Sequence, residues 1–190
     1  PANSPFGKYT GAGTIFGVSG GVAEAAARTA YEVVTGETLK DVVINEMRGT
    51  HRVKTVELDL KGTKVKVKIV NTLREAEKCM REIKEGKADY QMLEVMACPG
   101  GCIDGGGSAR IKGQYHPEKA RRQQSLYDMD HNMVYRQSHN NPQIKLLYSE
   151  YLQEPNSEKA HHLLHTHYND RRDTPSQTIA ENSLKLSLTE

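Results

Sequence analysis

The sequence predicts an α/β lobe over residues 1–108, a helical extension over 109–168 and a polar tail over 169–190. Three observations predict this fold class. Apolar and charged residues alternate in residues 53–60 and 65–69, which is the period of a half-buried strand. Helical periods flank these strands, and the chain after residue 108 consists of polar helical segments with few strand signals.

A glycine-bounded segment precedes the first predicted helix. Residues 11–21 read G-A-G-T-I-F-G-V-S-G-G, so we expect the backbone to pass close to another group there. Apolar positions from Val22 to Val34 recur with a helical period, Ser19 is the predicted cap and Gly36 the predicted stop. The free N–H groups of this helix start favour an anion or a negatively charged inorganic group, and close helix packing is the alternative.

The strands of the lobe follow this helix. Residues 39–46 are predicted as a short strand, and residues 53–60 and 65–69 as a hairpin joined by the turn at 61–63. A last, largely apolar strand covers residues 90–96 and leads directly into a glycine-rich segment. Because the carboxyl ends of strands in open α/β sheets border the functional crevice, we expect the chemistry of the chain at this strand end.

A second helix is predicted between the hairpin and the last strand. Asn71 and Thr72 are its expected cap, and it covers residues 73–85 before Gly86. Its apolar positions follow a helical period at Leu73, Ala76, Met80 and Ile83. Cys79 lies inside it, and its predicted role is that of a small, half-buried side chain that fills space in the packing.

The extension is predicted to contain three helices. They cover residues 117–133, residues 142–152, and a segment that Ser157 caps and that runs to His165. The polar residues after Tyr168 resemble a tail that does not need to fold.

The composition excludes several classes of protein. The hydrophobic fraction of 36% and the mean hydropathy of -0.68 leave little apolar surface for a large independent core, so a partner or a further segment is expected. A net charge of +2 without a basic block does not indicate nucleic-acid binding. No apolar run approaches the roughly 20 residues of a membrane span, which favours a cytoplasmic protein. Since the sequence begins with Pro1, a leader to the periplasm stays an open alternative.

Cys98 and Cys102 are the strongest chemical signal in the chain. Three residues separate them on a glycine-rich turn, so both sulfurs can point at one metal or cluster. Two thiolates are half of a four-ligand site, so other segments must supply the remaining ligands. A redox or purely structural thiol pair is the alternative. Cys79 is a poor third ligand, and three cysteines do not indicate a disulfide framework.

A group of histidines near the carboxy-terminal end is a second candidate metal site. His161 and His165 share a helix face, and His162 and His167 lie beside them. The acidic neighbour typical of zinc proteases is absent from this pattern, and solvent exposure or helix capping is the preferred interpretation.

Residues 94–107, E-V-M-A-C-P-G-G-C-I-D-G-G-G, resemble the third cluster-binding signature of FeFe hydrogenases. Residues 11–36 are similar to the segment that precedes this signature in the family. Residues 121–168, with S-L-Y-D-M-D, R-Q-S-H-N-N-P and L-L-H-T-H-Y, resemble the small-subunit region of the family. The resemblance therefore implies the carboxy-terminal lobe of a hydrogenase catalytic domain, followed by a helical small-subunit-like extension.

The resemblance implies roles for five residues. Cys98 and Cys102 match ligands of the active-site 4Fe-4S cluster. Cys102 matches the bridging cysteine that joins this cluster to a two-iron unit with carbon monoxide, cyanide and dithiolate ligands. Met96 resembles the methionine beside the two-iron unit, and Phe16 and Gly17 match residues that line its pocket.

The implied activity is the reversible oxidation of dihydrogen to protons and electrons. The implied partners are the upstream part of the same catalytic subunit and a ferredoxin or NAD(P)-linked electron-transfer subunit. The two earlier cluster-binding signatures of the family are absent from these residues, so upstream segments are expected to supply the other ligands and any accessory iron-sulfur clusters.

Three positions depart from the family pattern. Ser108 stands where glutamine is usual, Asp104 lies within the signature, and Ala23 replaces a common methionine. Two alternatives to an efficient hydrogenase stay open: a non-enzymatic, hydrogenase-like iron-sulfur scaffold, because such proteins have a similar cysteine signature, and a sensory relative of low activity, because of Ser108 and Asp104.

Overall fold

The computed structural model describes residues 7–39, 43–110 and 115–168. Two compact units divide the chain, Pro1–Leu147 and Tyr148–Glu190. The first unit combines a three-stranded sheet with helices, which confirms the predicted α/β class. Over the described ranges, no helix has both the length and the apolar character needed to span a bilayer.

The first unit begins with three helical segments. They are α1 (Gly11–Thr14), a 3-10 turn (Ile15–Gly17) and α2 (Gly21–Thr35). The prediction of α2 is confirmed, and it ends at Gly36, whose φ of 68° lies in the left-handed region that favours glycine.

The sheet has the strand order β1-β2-β3. Strands β1 (Val53–Leu60) and β2 (Thr63–Asn71) form the predicted antiparallel hairpin, in which Leu60 lies opposite Thr63. Strand β3 (Met92–Met96) runs parallel to β2, so that Asn71 pairs with Met96. Because parallel neighbours need a crossover, α3 (Leu73–Lys84) connects β2 to β3. Asn71, Met96 and the start of α3 therefore meet at one end of the sheet.

The core lies between the sheet and α2. Its buried members are apolar side chains of α2, the hairpin and a 3-10 turn (Asn45–Met47): Ala23, Ala27, Met47, Val56, Val67 and Ile69. The predicted strand over 39–46 is wrong in its described part, because this turn directs Met47 into the core; residues 40–42 lie outside the described residues.

Helix α3 turns a different face to the sheet from the one its apolar pattern predicts. Leu73, Met80 and Ile83 are exposed, whereas Cys79, which the sequence predicts to be half-buried, is fully buried. The sheet presents a charged side chain here, and Lys68 Nζ pairs with a Glu82 carboxylate oxygen at 2.6 Å. This ion pair and the burial of Cys79 set the orientation of the helix. A prediction from apolar period assumes that the helix packs on an apolar surface, and the sheet presents a charged side chain here instead.

The first unit ends with α4 (Tyr115–His131), a 3-10 turn (Ser138–Asn140) and α5 (Pro142–Leu147). Helix α4 contacts α1 and the 3-10 turn Cys102–Asp104. The compact unit therefore runs past the boundary predicted at residue 108. The domain limits 1–108, 109–168 and 169–190 stay predictions, and the last range lies outside the described residues.

The second unit contains a π-helical turn (Tyr148–Leu152) and α6 (Glu158–Leu164). The predicted cap of α6 is confirmed, because Ser157 Oγ accepts a hydrogen bond from the Ala160 N–H at 3.1 Å.

Candidate functional site

Cys98 and Cys102 lie on a turn directly after β3. Two backbone bonds close this turn: the Gly101 N–H donates to the Cys98 carbonyl, and the Gly105 N–H donates to the Cys102 carbonyl, both at 3.1 Å. Cys98 is half-buried and Cys102 is exposed, so neither thiol is sealed in an apolar interior. A Cβ at Gly105 would lie 3.4 Å from Cys98 Sγ, so glycine there keeps the space beside this sulfur open.

The two glycines between the cysteines are required by backbone geometry. Gly100 and Gly101 have φ values of 87° and 98°, which side chains strongly disfavour. A Cβ at Gly101 would lie 2.7 Å from both the Gly17 carbonyl oxygen and the Ser19 nitrogen. The turn therefore presses against the glycine-bounded segment before α2, which is the close approach that the sequence predicts.

Asn71 joins the cysteine turn to this segment. The Gly100 N–H donates to Asn71 Oδ1 at 2.8 Å, and Asn71 Nδ2 donates to Ser19 Oγ at 2.8 Å. The Ser19 N–H in turn donates to the Gly100 carbonyl at 3.0 Å. Asn71 is fully buried, so these bonds replace the water that its amide would otherwise need.

The side chain of Glu94, a residue of β3, caps the start of α2. Its carboxylate accepts hydrogen bonds from the Gly20 N–H at 2.6 Å and the Ala23 N–H at 2.7 Å. The predicted cap at Ser19 is wrong, because Gly20 holds the N-cap position and Ser19 bonds to Asn71 instead. The predicted anion at this helix start is the chain's own carboxylate.

Close packing occurs at the same helix start. A Cβ at Gly21 would lie 1.7 Å from the Ile15 carbonyl oxygen, so the alternative interpretation of this glycine segment also holds. Lys54 Nζ lies beside it and donates to the carbonyl oxygens of Met47 at 2.6 Å and Ser19 at 3.1 Å. Burial lowers the pKa of Lys54 below its ordinary value, against the opposing effect of nearby carboxylates.

Helix α4 contacts the cysteine turn and the two residues that follow it. Lys119 Nζ donates to the Pro99 carbonyl at 2.5 Å and pairs with Asp104 at 3.3 Å. Arg122 Nη1 donates to the Ile103 carbonyl at 3.0 Å. Ile103 and Tyr127 also share a small apolar cluster, so polar and apolar contacts both attach the loop to α4.

A buried ion network ties α4 to α2. The Arg28 guanidinium donates to Glu24 at 2.7 Å and to both carboxylate oxygens of Asp130 at 2.8 and 2.9 Å, and all three side chains are fully buried. Arg48 donates to Glu24, and Arg136 donates to Asp130 at 2.7 Å. Burial alone would raise the pKa of Asp130, but the hydrogen bonds from Arg28 and Arg136 outweigh it and hold that pKa below its ordinary value.

Met96, Gly17 and Phe16 are the other residues predicted to form the site. Met96 ends β3 and lies two residues before Cys98, so it belongs to the same strand end. Gly17 adjoins the turn through Gly101, and the space that its missing side chain leaves is filled by Leu126 of α4. Phe16 is 46% exposed on the 3-10 turn before α2.

The histidine group lies in the second unit. The rings of His161 and His165 stack with centroids 4.3 Å apart, and the His167 ring lies 6.1 Å from that of His161. Over the part of the chain that the structure describes, no three His, Cys, Asp or Glu side chains are grouped to hold a metal ion.

The cysteine turn fits half of an iron-sulfur site. Its donors are two thiols, which is the ligand type of iron-sulfur clusters, and both are accessible from outside the core. Cys79 is buried in α3, where its carbonyl accepts a hydrogen bond from the Tyr90 hydroxyl at 3.3 Å. The residues therefore suit a shared cluster whose remaining ligands come from elsewhere.

Sequence reasoning missed the residues that brace this turn. The sequence predicts Asn71 as a helix cap, and nothing in the sequence pairs Lys119 with Pro99 or Arg28 with Asp130. These contacts join residues far apart in the chain. Of these close contacts, the sequence indicates only the approach of a neighbour to the glycine-bounded segment at residues 11–21.

Comparisons with known proteins agree with this arrangement. The family model described as "Iron only hydrogenase large subunit, C-terminal domain" matches residues 1–106, and that described as "Iron hydrogenase small subunit" matches residues 116–171. The chain is 44% identical over 170 residues to the NADP-reducing hydrogenase subunit HndD of Solidesulfovibrio fructosivorans, covering 90% of this chain and 29% of that protein.

Two further relatives differ in their described roles. The chain is 34% identical to iron hydrogenase 1 of Clostridium pasteurianum, covering 88% of this chain and 30% of that protein. It is 32% identical to Protein NAR1 of Arabidopsis thaliana, covering 88% of this chain and 36% of that protein. The chain thus spans about a third of the length of these relatives.

A solved structure of a variant of the FeFe-hydrogenase HydA1 from Chlamydomonas reinhardtii is similar with a TM-score of 0.63 and 36% identity, covering 87% of this chain and 48% of that one. The sequence, the fold and the cysteine turn thus agree with the same group of proteins. The chain belongs to the iron-only (FeFe) hydrogenase family and corresponds to the carboxy-terminal part of its large subunit with the small-subunit region attached.

Proposed function

We propose that this chain is part of the catalytic subunit of an FeFe hydrogenase and supplies Cys98 and Cys102 as two thiolate ligands of its active-site 4Fe-4S cluster. One observation carries the proposal: two accessible thiols lie on a glycine turn at the end of a parallel strand, braced from two sides. When bound, the linked two-iron unit would supply the reversible oxidation of dihydrogen to two protons and two electrons.

The roles proposed for this chain's residues are binding and shielding. Cys102 would be a thiolate ligand shared by the four-iron cluster and the two-iron unit, and the bound group would bring its own carbon monoxide, cyanide and dithiolate ligands. Met96, Phe16 and the backbone of Gly17 would line the cofactor pocket, since Leu126 fills the space beside the Gly17 Cα. A thioether and a phenyl ring would exclude water from this pocket, which supports the assignments of Met96 and Phe16 on chemical grounds. Phe16 is half exposed in this chain, which leaves its ring free to meet a neighbouring segment.

The remaining ligands and partners come from outside these residues. The upstream part of the subunit supplies the other cluster ligands and any accessory clusters. Electrons pass to a ferredoxin or an NAD(P)-linked subunit, and the name of the relative from Solidesulfovibrio fructosivorans supports the second of these. We propose a cytoplasmic location, which is supported by relatives named as cytosolic iron-sulfur assembly proteins.

A second candidate function is a non-enzymatic iron-sulfur scaffold. It is favoured by the similarity to Protein NAR1 and to relatives named as probable cytosolic iron-sulfur cluster assembly factors. Asp104 and Ser108 favour a third, a sensory relative of low activity, because both depart from the hydrogenase signature.

Infrared spectroscopy and hydrogen evolution on the matured full-length protein separate these functions. The hydrogenase proposal predicts bands of iron-bound carbon monoxide and cyanide together with hydrogen evolution from a reduced dye. A scaffold would bind iron and sulfide without such bands and without turnover. A sensory relative would give the bands with very slow turnover.

A further inference from the structure

The Lys119 ammonium contacts two residues at the cysteine turn, and its methylene chain packs against a third. Its ammonium donates to the Pro99 carbonyl at 2.5 Å and pairs with the Asp104 carboxylate at 3.3 Å. Pro99 directly follows Cys98, and Asp104 lies two residues after Cys102, so this one ammonium bridges both ends of the turn.

The stem of Lys119 also fills the space beside the turn. A Cβ at Gly100 would lie 2.3 Å from Lys119 Cε, so the methylene chain of Lys119 occupies the space that a side chain at Gly100 would need. The Lys119 side chain is only 8% exposed. A buried ammonium loses its hydration, and such groups persist only where partners replace the lost water.

Other groups attach the loop independently of Lys119. Asn71 accepts the Gly100 N–H, and Arg122 donates to the Ile103 carbonyl. Loss of Lys119 would therefore leave the loop attached to the fold but change how tightly the two cysteines are held relative to each other.

We propose that Lys119 is a positioning residue, which holds the Cys98–Cys102 turn in the shape that lets both thiolates bind one iron-sulfur cluster. This inference rests on the proposed function of the two cysteines. It follows from the geometry, because an ammonium that bridges Pro99 and Asp104 restrains the distance between the residue that follows Cys98 and the residue two places after Cys102.

Three variants of the natural full-length protein test this role. Lys119→Met removes the ammonium and keeps much of the stem, and Lys119→Arg keeps a charged donor. Arg121→Met is the matched control, because it removes a cation from the exposed face of the same helix. Each protein is loaded with ferrous iron and sulfide under argon. The rate of iron loss to a chelator and the midpoint potential of the cluster are then measured.

Lys119→Met is expected to lose iron on the order of tenfold faster, and Lys119→Arg to stay within about twofold of the unsubstituted protein. Removal of a nearby cation also disfavours the more negative reduced cluster. The ratio of reduced to oxidised cluster at a fixed potential is expected to fall by about tenfold, which is about 59 mV for one electron. Arg121→Met is expected to change neither quantity, since solvent screens its charge.

Unchanged iron loss and potential in Lys119→Met would overturn the positioning role while leaving the proposed function intact. Failure of the unsubstituted protein to bind a cluster would overturn both. If Lys119→Met does not fold, Lys119→Gln decides, because it is polar but too short to bridge both partners. Iron loss from that variant at the unsubstituted rate would likewise contradict the proposal.

Discussion

At the scale of single residues, Gly101 in the cysteine turn and Gly107 after it differ in what they permit. Gly101 has a φ of 98° and meets the backbone at Gly17 and Ser19, whereas Gly107 has a φ of 97° and, among the described residues, no atom within 4 Å of the place that a Cβ would occupy. The two positions therefore separate the cost of backbone strain from the cost of a collision.

We predict that Gly107→Ala lowers the free energy of unfolding by about 1 kcal/mol through backbone strain alone. Gly101→Ala is expected to cost about 3 kcal/mol, because the segment before α2 must also move. Urea titration of both variants measures the difference. Equal costs would show that the loop moves away freely and that the turn is not pressed against its neighbour.

Asp130 is the residue on which the buried ion network depends most. Asp130→Asn removes the carboxylate that pairs with Arg136 and leaves Arg28 with Glu24 alone, and we expect a loss of about 3–5 kcal/mol in the free energy of unfolding. Asp128→Asn on the exposed side of the same helix is the control, with an expected loss below about 0.5 kcal/mol. Similar losses in both variants would exclude a special role for the network.

The pH dependence of that loss has a defined sign. Because the pKa of Asp130 is lowered in the folded protein, its contribution to stability is complete above the unfolded pKa of about 3.9. The contribution is lost as the pH falls through the lower folded value. The difference in unfolding free energy between the unsubstituted protein and Asp130→Asn should therefore become smaller below about pH 4. A difference that grows as the pH falls would contradict this assignment.

At the scale of elements, α2 begins on a carboxylate from the neighbouring strand. Both oxygens of Glu94 accept backbone N–H groups at this helix start. Glu94→Gln replaces one of these acceptor oxygens with an NH₂ group, which can only donate, and removes the negative charge. We expect a loss of about 1–2 kcal/mol in unfolding free energy by urea titration. Glu57→Gln on the exposed side of β1 is the control, and an equally large effect there would refute the capping role.

The elements predictable from the sequence are those set by local rules. The hairpin, α2 with its glycine stop, α3, β3 and the cap of α6 follow from residue period and from turn and cap chemistry. The strand expected at 39–46 and the buried face of α3 do not follow from such rules. Both depend on what the element packs against: a core position for Met47 and a charged strand face at Lys68.

The candidate site divides in the same way. Residue type and spacing alone reveal Cys98 and Cys102, and also the close approach of a neighbour to the glycines of residues 11–21. Asn71, Lys119 and the partner of Glu94 cannot, because each acts across more than 15 residues of chain through a contact that only the fold creates. The assignments of Met96, Phe16 and Gly17 stay predictions.

At the scale of the whole molecule, the small-subunit-like helix α4 is part of the first compact unit rather than an appendage to it. It contributes Lys119 to the cysteine turn and Asp130 to the ion network with α2. The two stretches that match separate family models are thus joined by buried charge. Loss of either stretch would leave charged groups of the other exposed or unpaired.

The most direct test of this account is the iron content of cysteine variants of the full-length protein after loading with ferrous iron and sulfide. Cys98→Ala and Cys102→Ala are each expected to lose most of the iron of the cluster that they share, together with its electron paramagnetic resonance signal. Cys79→Ala is expected to retain both, because that thiol is buried in α3. Full iron content and an unchanged signal in Cys98→Ala and Cys102→Ala would contradict the account.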